Sequence, residues 1–201
     1  SGAIVVANAE SVEIVLADGT ANAVADGATS SAADPADDEP NAAIFSAADL
    51  TIAGGGSLTG EGAYNDGIAS KDGLVIAEGT ITVSAVDDGM RGKDYLVVKD
   101  GIVAVDAQGD GLKSDNEEDA TKGYVEIENG VFDITAGGDA ITAESDVLIG
   151  DGTFTLLSGG GSSNRIDAGA SAQGISAGVR VVVDGGAFTS GAGSLPVFDG
   201  A

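Results

Sequence analysis

Aspartates recur at one position of a repeating sequence, and their carboxylates are the kind of ligand that calcium prefers. Asp66, Asp88 and Asp110 lie 22 residues apart, each followed by glycine, and Asp139 continues the series 29 residues later. Asp87 stands directly before Asp88. Ca²⁺ takes six to eight oxygen ligands, so carboxylates that stack in neighbouring repeats predict a calcium site. The alternative is that each aspartate accepts hydrogen bonds from the backbone of its own Asp-Gly turn.

Two acidic segments offer further carboxylates outside this series. They are residues 33–40, which contain Asp37, Asp38 and Glu39, and residues 114–122, which contain Glu117, Glu118 and Asp119. Neither segment has the 12-residue ligand spacing of an EF-hand. Each is therefore interpreted either as a loop that holds a cation or as a solvated surface loop.

Four of the eight basic residues gather beside the aspartates, namely Lys71, Arg91, Lys93 and Lys113. One interpretation is structural, in which they offset the aspartates in a ladder of charges. The functional interpretation is that Arg91, Lys93 and Lys113, together with calcium, bind the carboxylates of an acidic sugar.

Two tyrosines occupy equivalent positions in neighbouring repeats, because Tyr95 precedes Leu96 as Tyr124 precedes Val125. Two adjacent rings on a flat sheet can stack on the faces of sugars. The alternative is a stacked pair that stabilises the sheet by about 0.5–1.5 kcal/mol.

The repeat that carries these residues predicts a solenoid. Residues 65–85 and 87–107 share one pattern at a period of 22, and a fixed short period is typical of stacked repeats. Five apolar columns follow this period: Ile68, Met90, Leu112, Ile141 and Ile175; Leu74, Leu96, Val125, Val147 and Val181; Ile76, Val98, Ile127, Ile149 and Val183; Ile81, Val103, Phe132, Phe154 and Phe188; and Val83, Val105, Ile134 and Leu156. Within each repeat, these residues alternate with polar or small ones, as strands require.

We therefore predict an all-β fold, a right-handed parallel β-helix with about 22 residues and three short strands per coil. The coils are expected at about residues 1–24, 42–64, 65–86, 87–108, 109–137, 138–158 and 173–190, with insertions at 26–41, 115–122 and 159–172, all within one domain over 1–201. Glycines at one position of the repeat indicate a turn with positive φ or tight packing: Gly79, Gly101, Gly130, Gly152 and Gly186.

The charge of the chain excludes several partners. It has 33 Asp plus Glu against 8 Lys plus Arg, a net charge of −25. Such a chain does not bind nucleic acid by neutralising phosphates, nor anionic lipid by electrostatic attraction. No apolar run approaches the roughly 18 residues of a membrane span.

The motifs also resemble those of a known family. Residues 42–46 (AAIFS), 65–72 (NDGIASKD), 87–94 (DDGMRGKD), 109–114 (GDGLKS) and 122–127 (KGYVEI) are similar to a bacterial extracellular carbohydrate-binding β-helix family. That resemblance implies a right-handed parallel β-helix like that of pectate lyases, bound calcium, and affinity for cellulose and for acidic sugars such as polygalacturonate. It also implies that Asp66, Asp87, Asp88 and Asp110 correspond to the family's aspartates. The sequence departs from the pattern at Asp139, which is followed by alanine instead of glycine.

Three functions are consistent with these residues. The leading prediction is a secreted, non-catalytic module at the cell surface that binds polysaccharide with calcium. The second is a calcium-dependent polysaccharide lyase in which Arg91, Lys93 or Lys113 is the base of a β-elimination. The third is a structural adhesin or filament subunit that associates through the ends of its coil.

Overall fold

The computed structural model describes residues 2–28, 40–161, 171–193 and 198–200, and every regular element in these ranges is a β-strand. None of the described residues forms a helix long and apolar enough to cross a membrane. In chain order the strands are β1 (Ile4–Val6), β2 (Ser11–Val15), β3 (Ala21–Ala25), β4 (Ala42–Ser46), β5 (Asp49–Ala53), β6 (Ser57–Gly62), β7 (Asp66–Ser70), β8 (Gly73–Ile76), β9 (Thr80–Ala85), β10 (Met90–Gly92), β11 (Tyr95–Val98), β12 (Ile102–Ala107), β13 (Leu112–Ser114), β14 (Tyr124–Ile127), β15 (Val131–Ala136), β16 (Ile141–Ala143), β17 (Asp146–Ile149), β18 (Thr153–Ser158), β19 (Ile175–Ala177), β20 (Arg180–Val183), β21 (Ala187–Gly191) and β22 (Phe198–Gly200).

Every third strand belongs to the same sheet, and all pairings are parallel. Sheet A has the order β1-β4-β7-β10-β13-β16-β19-β22, sheet B the order β2-β5-β8-β11-β14-β17-β20, and sheet C the order β3-β6-β9-β12-β15-β18-β21. Each turn of the chain thus adds one strand to each of three sheets, which is a parallel β-solenoid. The right-handed sense of the coil and the boundaries of the coils stay predictions.

The five predicted apolar columns are confirmed by the strand register. In sheet A, for example, Met90 lies opposite Ile68 on one side and Leu112 on the other, and all three are fully buried. In β9 the exposed and buried residues alternate strictly, so one face of the strand lines the core. Phe132, Phe154 and Phe188 stack within the core, with ring centroids 4.7 and 4.5 Å apart.

The predicted column of turn glycines is also confirmed. Gly79, Gly101, Gly130, Gly152 and Gly186 have φ values between 108° and 137°. A Cβ on Gly101 would lie 2.7 Å from the carbonyl oxygen of Gly79. Both the left-handed backbone and the close approach of successive turns therefore require glycine here.

The aspartate series lies where the chain enters sheet A. Asp66 is the first residue of β7, and Asp88 lies two residues before β10. Arg91 pairs in register with Ala69 of β7 and Lys113 of β13. Sheet A therefore places the aspartates and the nearby cations on adjacent strands of one surface.

Candidate functional site

Four aspartates form a continuous hydrogen-bonded ladder, which we call the aspartate ladder: Asp66, Asp88, Asp110 and Asp139. The Oδ1 atom of Asp66 accepts the backbone N–H of Asp88 at 3.2 Å, and Oδ1 of Asp88 accepts that of Asp110 at 2.9 Å. Asp110 accepts from Asp139 at 2.8 Å, and Asp139 from Gln173 at 2.7 Å. Each carboxylate thus accepts a backbone N–H from the next coil and none from its own turn, so the ladder fastens successive coils together.

Three carboxylates converge at the Asp66 end of the ladder. Oxygens of Asp66, Asp87 and Asp88 all lie within 4.8 Å of one another, the one group of that kind within the described ranges. Asp66 and Asp88 are buried, whereas Asp87 is exposed. Like charges held this close repel one another unless a proton or a cation intervenes.

Two asparagine side chains lie beside this cluster. The Asn41 side chain is buried and its Nδ2 lies 3.5 Å from Oδ2 of Asp66, while Nδ2 of Asn65 donates to Oδ1 of Asp66 at 3.3 Å. The Oδ1 atom of Asn41 is buried without a hydrogen-bond partner among the residues that the structure describes. A buried carbonyl oxygen without a partner costs about 1–3 kcal/mol, so this atom calls for a ligand. Carboxylate and amide oxygens in this number fit a hard cation such as Ca²⁺.

The pKa of one carboxyl group in this cluster lies close to neutral pH. Burial, followed by the charges of Asp88 and Asp87, raises the pKa of Asp66 from 3.8 to about 7, although Arg91 opposes this rise. Burial also raises the pKa of Asp88, against the effect of Lys113. Two of the three carboxylates are therefore electrostatically destabilised in their charged form when no cation is bound.

Between Asp88 and Asp110, the ladder contains a positively charged side chain of the protein itself. Nζ of Lys113 lies 2.9 Å from Oδ2 of Asp88 and 2.9 Å from Oδ2 of Asp110. At the far end, Ser171 donates its hydroxyl to Oδ1 of Asp139 at 2.7 Å. Asp110 and Asp139 thus have other partners and lie outside the three-carboxylate cluster.

A small groove on the outer face of sheet A adjoins the cluster; we call it the sheet A groove. Its volume is about 180 Å³, and it is lined by Phe45, Ala69, Ser70, Lys71, Arg91 and Lys93. Nε of Arg91 donates to Oδ2 of Asp115 at 2.9 Å. Lys93 is held more loosely, with its Nζ 3.9 Å from Oε2 of the exposed Glu118. The groove therefore presents positive charge and an apolar floor beside an acidic cluster.

Two of these cations, Arg91 and Lys113, have raised pKa values. Burial alone would lower the pKa of Arg91, but Asp115 and then Asp66 and Asp88 raise it above the ordinary value. Lys113 follows the same pattern, because Asp110 and Asp88 raise its pKa despite burial. A base in β-elimination has to accept a proton, so these raised pKa values favour binding over catalysis.

The two tyrosines stack in the sheet. Tyr95 lies opposite Tyr124 in the register, with ring centroids 5.7 Å apart and ring planes at 20°. The Tyr95 hydroxyl donates to Oδ1 of Asp49 at 3.1 Å, and burial with this bond raises the Tyr95 pKa to about 12. A Cβ on Gly73 would overlap the Tyr95 ring, so that ring is packed between Gly73 and Tyr124. The stacked-pair interpretation therefore describes Tyr95.

Tyr124 additionally borders a groove on the outer face of sheet B, which we call the sheet B groove. Its volume is about 370 Å³, and its lining includes Tyr124, Glu126, Asp146, Leu148 and Val179. Arg180 donates to Oδ2 of Asp146 at 2.6 Å, so one of the carboxylates is neutralised. The groove combines an aromatic ring, aliphatic side chains and hydrogen-bond acceptors.

The acidic segments contribute no further cluster within the part of the chain that the structure describes. Asp119 is exposed and its Oδ1 accepts hydrogen bonds from the backbone and hydroxyl of Thr121. Glu117 is exposed, and Glu118 pairs only distantly with Lys93. Asp37, Asp38 and Glu39 lie outside the described residues.

Sequence reasoning missed three partners of the site. Asn41 occupies the same position one coil before Asn65, so extending the column upstream could have found it. Asp115, which holds Arg91, lies in an insertion where the repeat gives no register. Asp49, which accepts the hydrogen bond of the Tyr95 hydroxyl, lies 46 residues before Tyr95 in the chain.

The chain is similar to known proteins. Residues 1–194 match the model of a family described as "Carbohydrate-binding domain-containing protein". A relative of that description from Acetivibrio thermocellus is 48% identical over 160 residues, which cover 80% of this chain and 56% of the relative. A solved structure described as the polysaccharide lyase-like protein from C. thermocellum, in a gadolinium derivative, has a TM-score of 0.67 and 32% identity. The match covers 94% of this chain and 66% of that structure, so the chain spans less than two thirds of either protein. The stacked coils, the oxygen-rich cluster and the match over nearly the whole chain lead to one conclusion: this chain belongs to the family of carbohydrate-binding domain-containing proteins.

Proposed function

We propose that this chain is an extracellular, non-catalytic module that binds acidic polysaccharide with the help of calcium. Asp66, Asp87 and Asp88 would hold the ion together with the amide oxygen of Asn41. Calcium supplies the positive charge that allows a sugar carboxylate to approach a protein of net charge −25. The observation that carries this proposal is the buried oxygen of Asn41, which has no hydrogen-bond partner among the described residues, beside three converging carboxylates.

The sheet A groove suits an acidic ligand that also contacts the metal. Arg91 interacts electrostatically with Asp66, which places its charge near the cluster. Successive carboxylates of a polyuronate would then meet the metal and the side chains of Arg91 and Lys93. The apolar floor of Phe45 and Ala69 suits the aliphatic face of a sugar ring. Polygalacturonate, the backbone of pectin, has this combination of charge and apolar faces.

The sheet B groove favours a neutral polysaccharide such as cellulose as a second ligand. Tyr124 offers an aromatic surface, and Glu126 accepts hydrogen bonds from sugar hydroxyls without the charge repulsion that a uronate would meet. This binding would need no metal. Tyr124→Ala is expected to reduce the retention on cellulose with or without a chelator, whereas Tyr64→Ala, at a tyrosine outside this groove, is the aromatic control.

The lyase remains the second candidate because the solved neighbour is described as polysaccharide lyase-like. It requires Arg91, Lys93 or Lys113 to accept a proton. Release of unsaturated uronides, followed by ultraviolet absorbance and lost in Arg91→Ala, would establish this activity. We expect no such product because the pKa values of Arg91 and Lys113 are raised.

The test of the main proposal is the binding of polygalacturonate by isothermal titration, with calcium and after chelation. Binding should require calcium and should be lost in Asp66→Asn. Equal affinity with calcium and with chelator would contradict the proposal. Asp106→Asn is the matched control, because Asp106 is exposed on the outer face of sheet C.

A further inference from the structure

We call the space between two successive aspartates of the ladder an interval. The interval between Asp88 and Asp110 has two carboxylates, like the interval between Asp66 and Asp88, but it contains the ammonium group of a lysine. Both intervals of the aspartate ladder place two carboxylates one coil apart. In the first interval, Asp87 and Asn41 add oxygens, whereas in the second Nζ of Lys113 lies 2.9 Å from each of two carboxylate oxygens. The chain therefore supplies its own cation at a position where the repeat would otherwise gather negative charge.

We propose that Lys113 occupies a second cation site of the aspartate ladder and thereby limits the ladder to one metal ion. The side chain of Lys113 is 27% exposed, that of Asp88 is 7% exposed and that of Asp110 is 19% exposed. The ammonium thus replaces the solvent that would otherwise hydrate these two carboxylates. Removing it leaves both charges with no cation between them, which is the condition that favours a metal ion.

The Asp87 carboxylate lies beside the backbone that leads into Asp110. A Cβ on Gly109 would lie 2.5 Å from Oδ1 of Asp87 and 2.7 Å from Oδ1 of Asp88. The absence of a side chain at Gly109 therefore leaves room for the Asp87 carboxylate between the two intervals. Asp88 and Asp110 would be the ligands of a divalent ion once the ammonium is gone.

A consequence follows for the native protein. Lys113 shares Asp88 with the proposed metal, so its charge weakens the attraction of the first site for a divalent ion. Lys113 is therefore an affinity-determining residue that does not itself contact the metal. Replacement by a neutral side chain should remove this charge from Asp88 and open the second site to a divalent ion.

The experiment is a calcium titration of chelator-stripped Lys113→Gln beside the unmodified protein. We expect the variant to bind one more calcium ion per chain, and its melting temperature to rise further on calcium addition. Lys113→Arg, which keeps the positive charge, should bind the same number of ions as the unmodified protein. Lys122→Gln is the matched control, because Nζ of Lys122 pairs at 2.6 Å with a single carboxylate, that of Asp94.

The double variant Lys113→Gln with Asp110→Asn should lose the additional ion. The same stoichiometry in Lys113→Gln and in the unmodified protein would overturn the inference. A Lys113→Gln chain that stays unfolded at saturating calcium would overturn it as well, since calcium would then have failed to replace the ammonium.

This inference rests on the proposed function in one respect: the proposed calcium site accounts for the ion that the unmodified protein binds. An unmodified protein that binds no calcium contradicts the proposed function, whatever Lys113→Gln does. The difference in stoichiometry between Lys113→Gln and the unmodified protein tests the role of Lys113, so the two failures are distinguishable.

Discussion

Asp66 combines two roles that are normally in conflict. Its Oδ1 fastens the next coil by accepting the N–H of Asp88, and its buried charge lies beside two further carboxylates. A bound cation resolves the conflict because it stabilises the ionised form while the backbone hydrogen bond persists. Without the cation, the fold tolerates the site by keeping a proton on Asp66 up to about pH 7.

Asp66→Asn separates these two roles. The amide oxygen can still accept the Asp88 N–H, so the ladder is kept while the buried charge is removed. We expect calcium affinity to fall at least about tenfold, a loss of about 1.4 kcal/mol or more. Calorimetric titration measures this loss, and Asp106→Asn should titrate like the unmodified protein. Unchanged calcium affinity in Asp66→Asn would place the metal elsewhere.

The raised pKa of Asp66 also predicts how stability changes with pH when calcium is absent. The folded state keeps the proton up to about pH 7, whereas the unfolded chain releases it near 3.8. The folded state therefore binds more protons in this window, and its stability falls as the pH rises from about 4 to about 7, by at most roughly 4 kcal/mol. Urea unfolding in chelator at pH 5 and pH 8 measures the fall.

Asp66→Asn is the control for this pH effect, because general repulsion among the other acidic residues acts equally on both proteins. The variant should lose less stability than the unmodified protein between the two pH values. Parallel pH dependences would show that Asp66 titrates normally. Saturating calcium should abolish the difference by removing the need for the proton.

At the scale of the strands and turns, the solenoid depends on glycines that recur at one turn of every coil. Gly101 has φ of 129°, and an added Cβ would meet the Gly79 carbonyl oxygen of the preceding turn. Gly101→Ala should lower the free energy of unfolding by about 2 kcal/mol, because strain and a close contact add together. Gly27→Ala is the control, since no residue that the structure describes lies within 4 Å of its Cβ position. Equal unfolding midpoints for the two variants in urea would contradict this explanation of the glycine column.

The outer face of sheet A carries a second prediction at this scale. Lys93 contacts Glu118 only at 3.9 Å, so its replacement should disturb the fold little. Lys93→Gln should weaken polygalacturonate binding by about tenfold, as loss of one charged contact commonly does, without changing calcium affinity. The measurement is titration with polygalacturonate in saturating calcium, and Lys99→Gln, an exposed lysine outside the groove, is the control. Equal losses in both variants would indicate only a general effect of charge.

The strands could be predicted from sequence because each apolar column repeats at a nearly fixed spacing. The register needed no knowledge of loops, so Ile68, Met90 and Leu112 were placed correctly. The partners within the site were harder to predict. Lys113 follows Asp110 by three residues, and only the stacking distance between coils shows that it also reaches Asp88. Arg91 is held by Asp115 from an insertion that breaks the period, so no spacing rule could have paired them.

For the molecule as a whole, the net charge of −25 sets the electrostatic conditions in which every site works. Repulsion among exposed carboxylates lowers stability, and any salt relieves it by screening. A specific calcium site must therefore be distinguished from this general effect. The alternative of a structural adhesin or filament explains the charge as a source of solubility and needs no organised metal site.

Calcium titration of the chelator-stripped chain, combined with thermal melting, tests the central claim most directly. The account predicts saturable binding and a rise in melting temperature at calcium concentrations too low to change the ionic strength, which magnesium should not reproduce. Titration of Asp66→Asn under the same conditions should show no such rise. A melting temperature that responds equally to calcium, magnesium and sodium chloride at matched ionic strength would contradict the account.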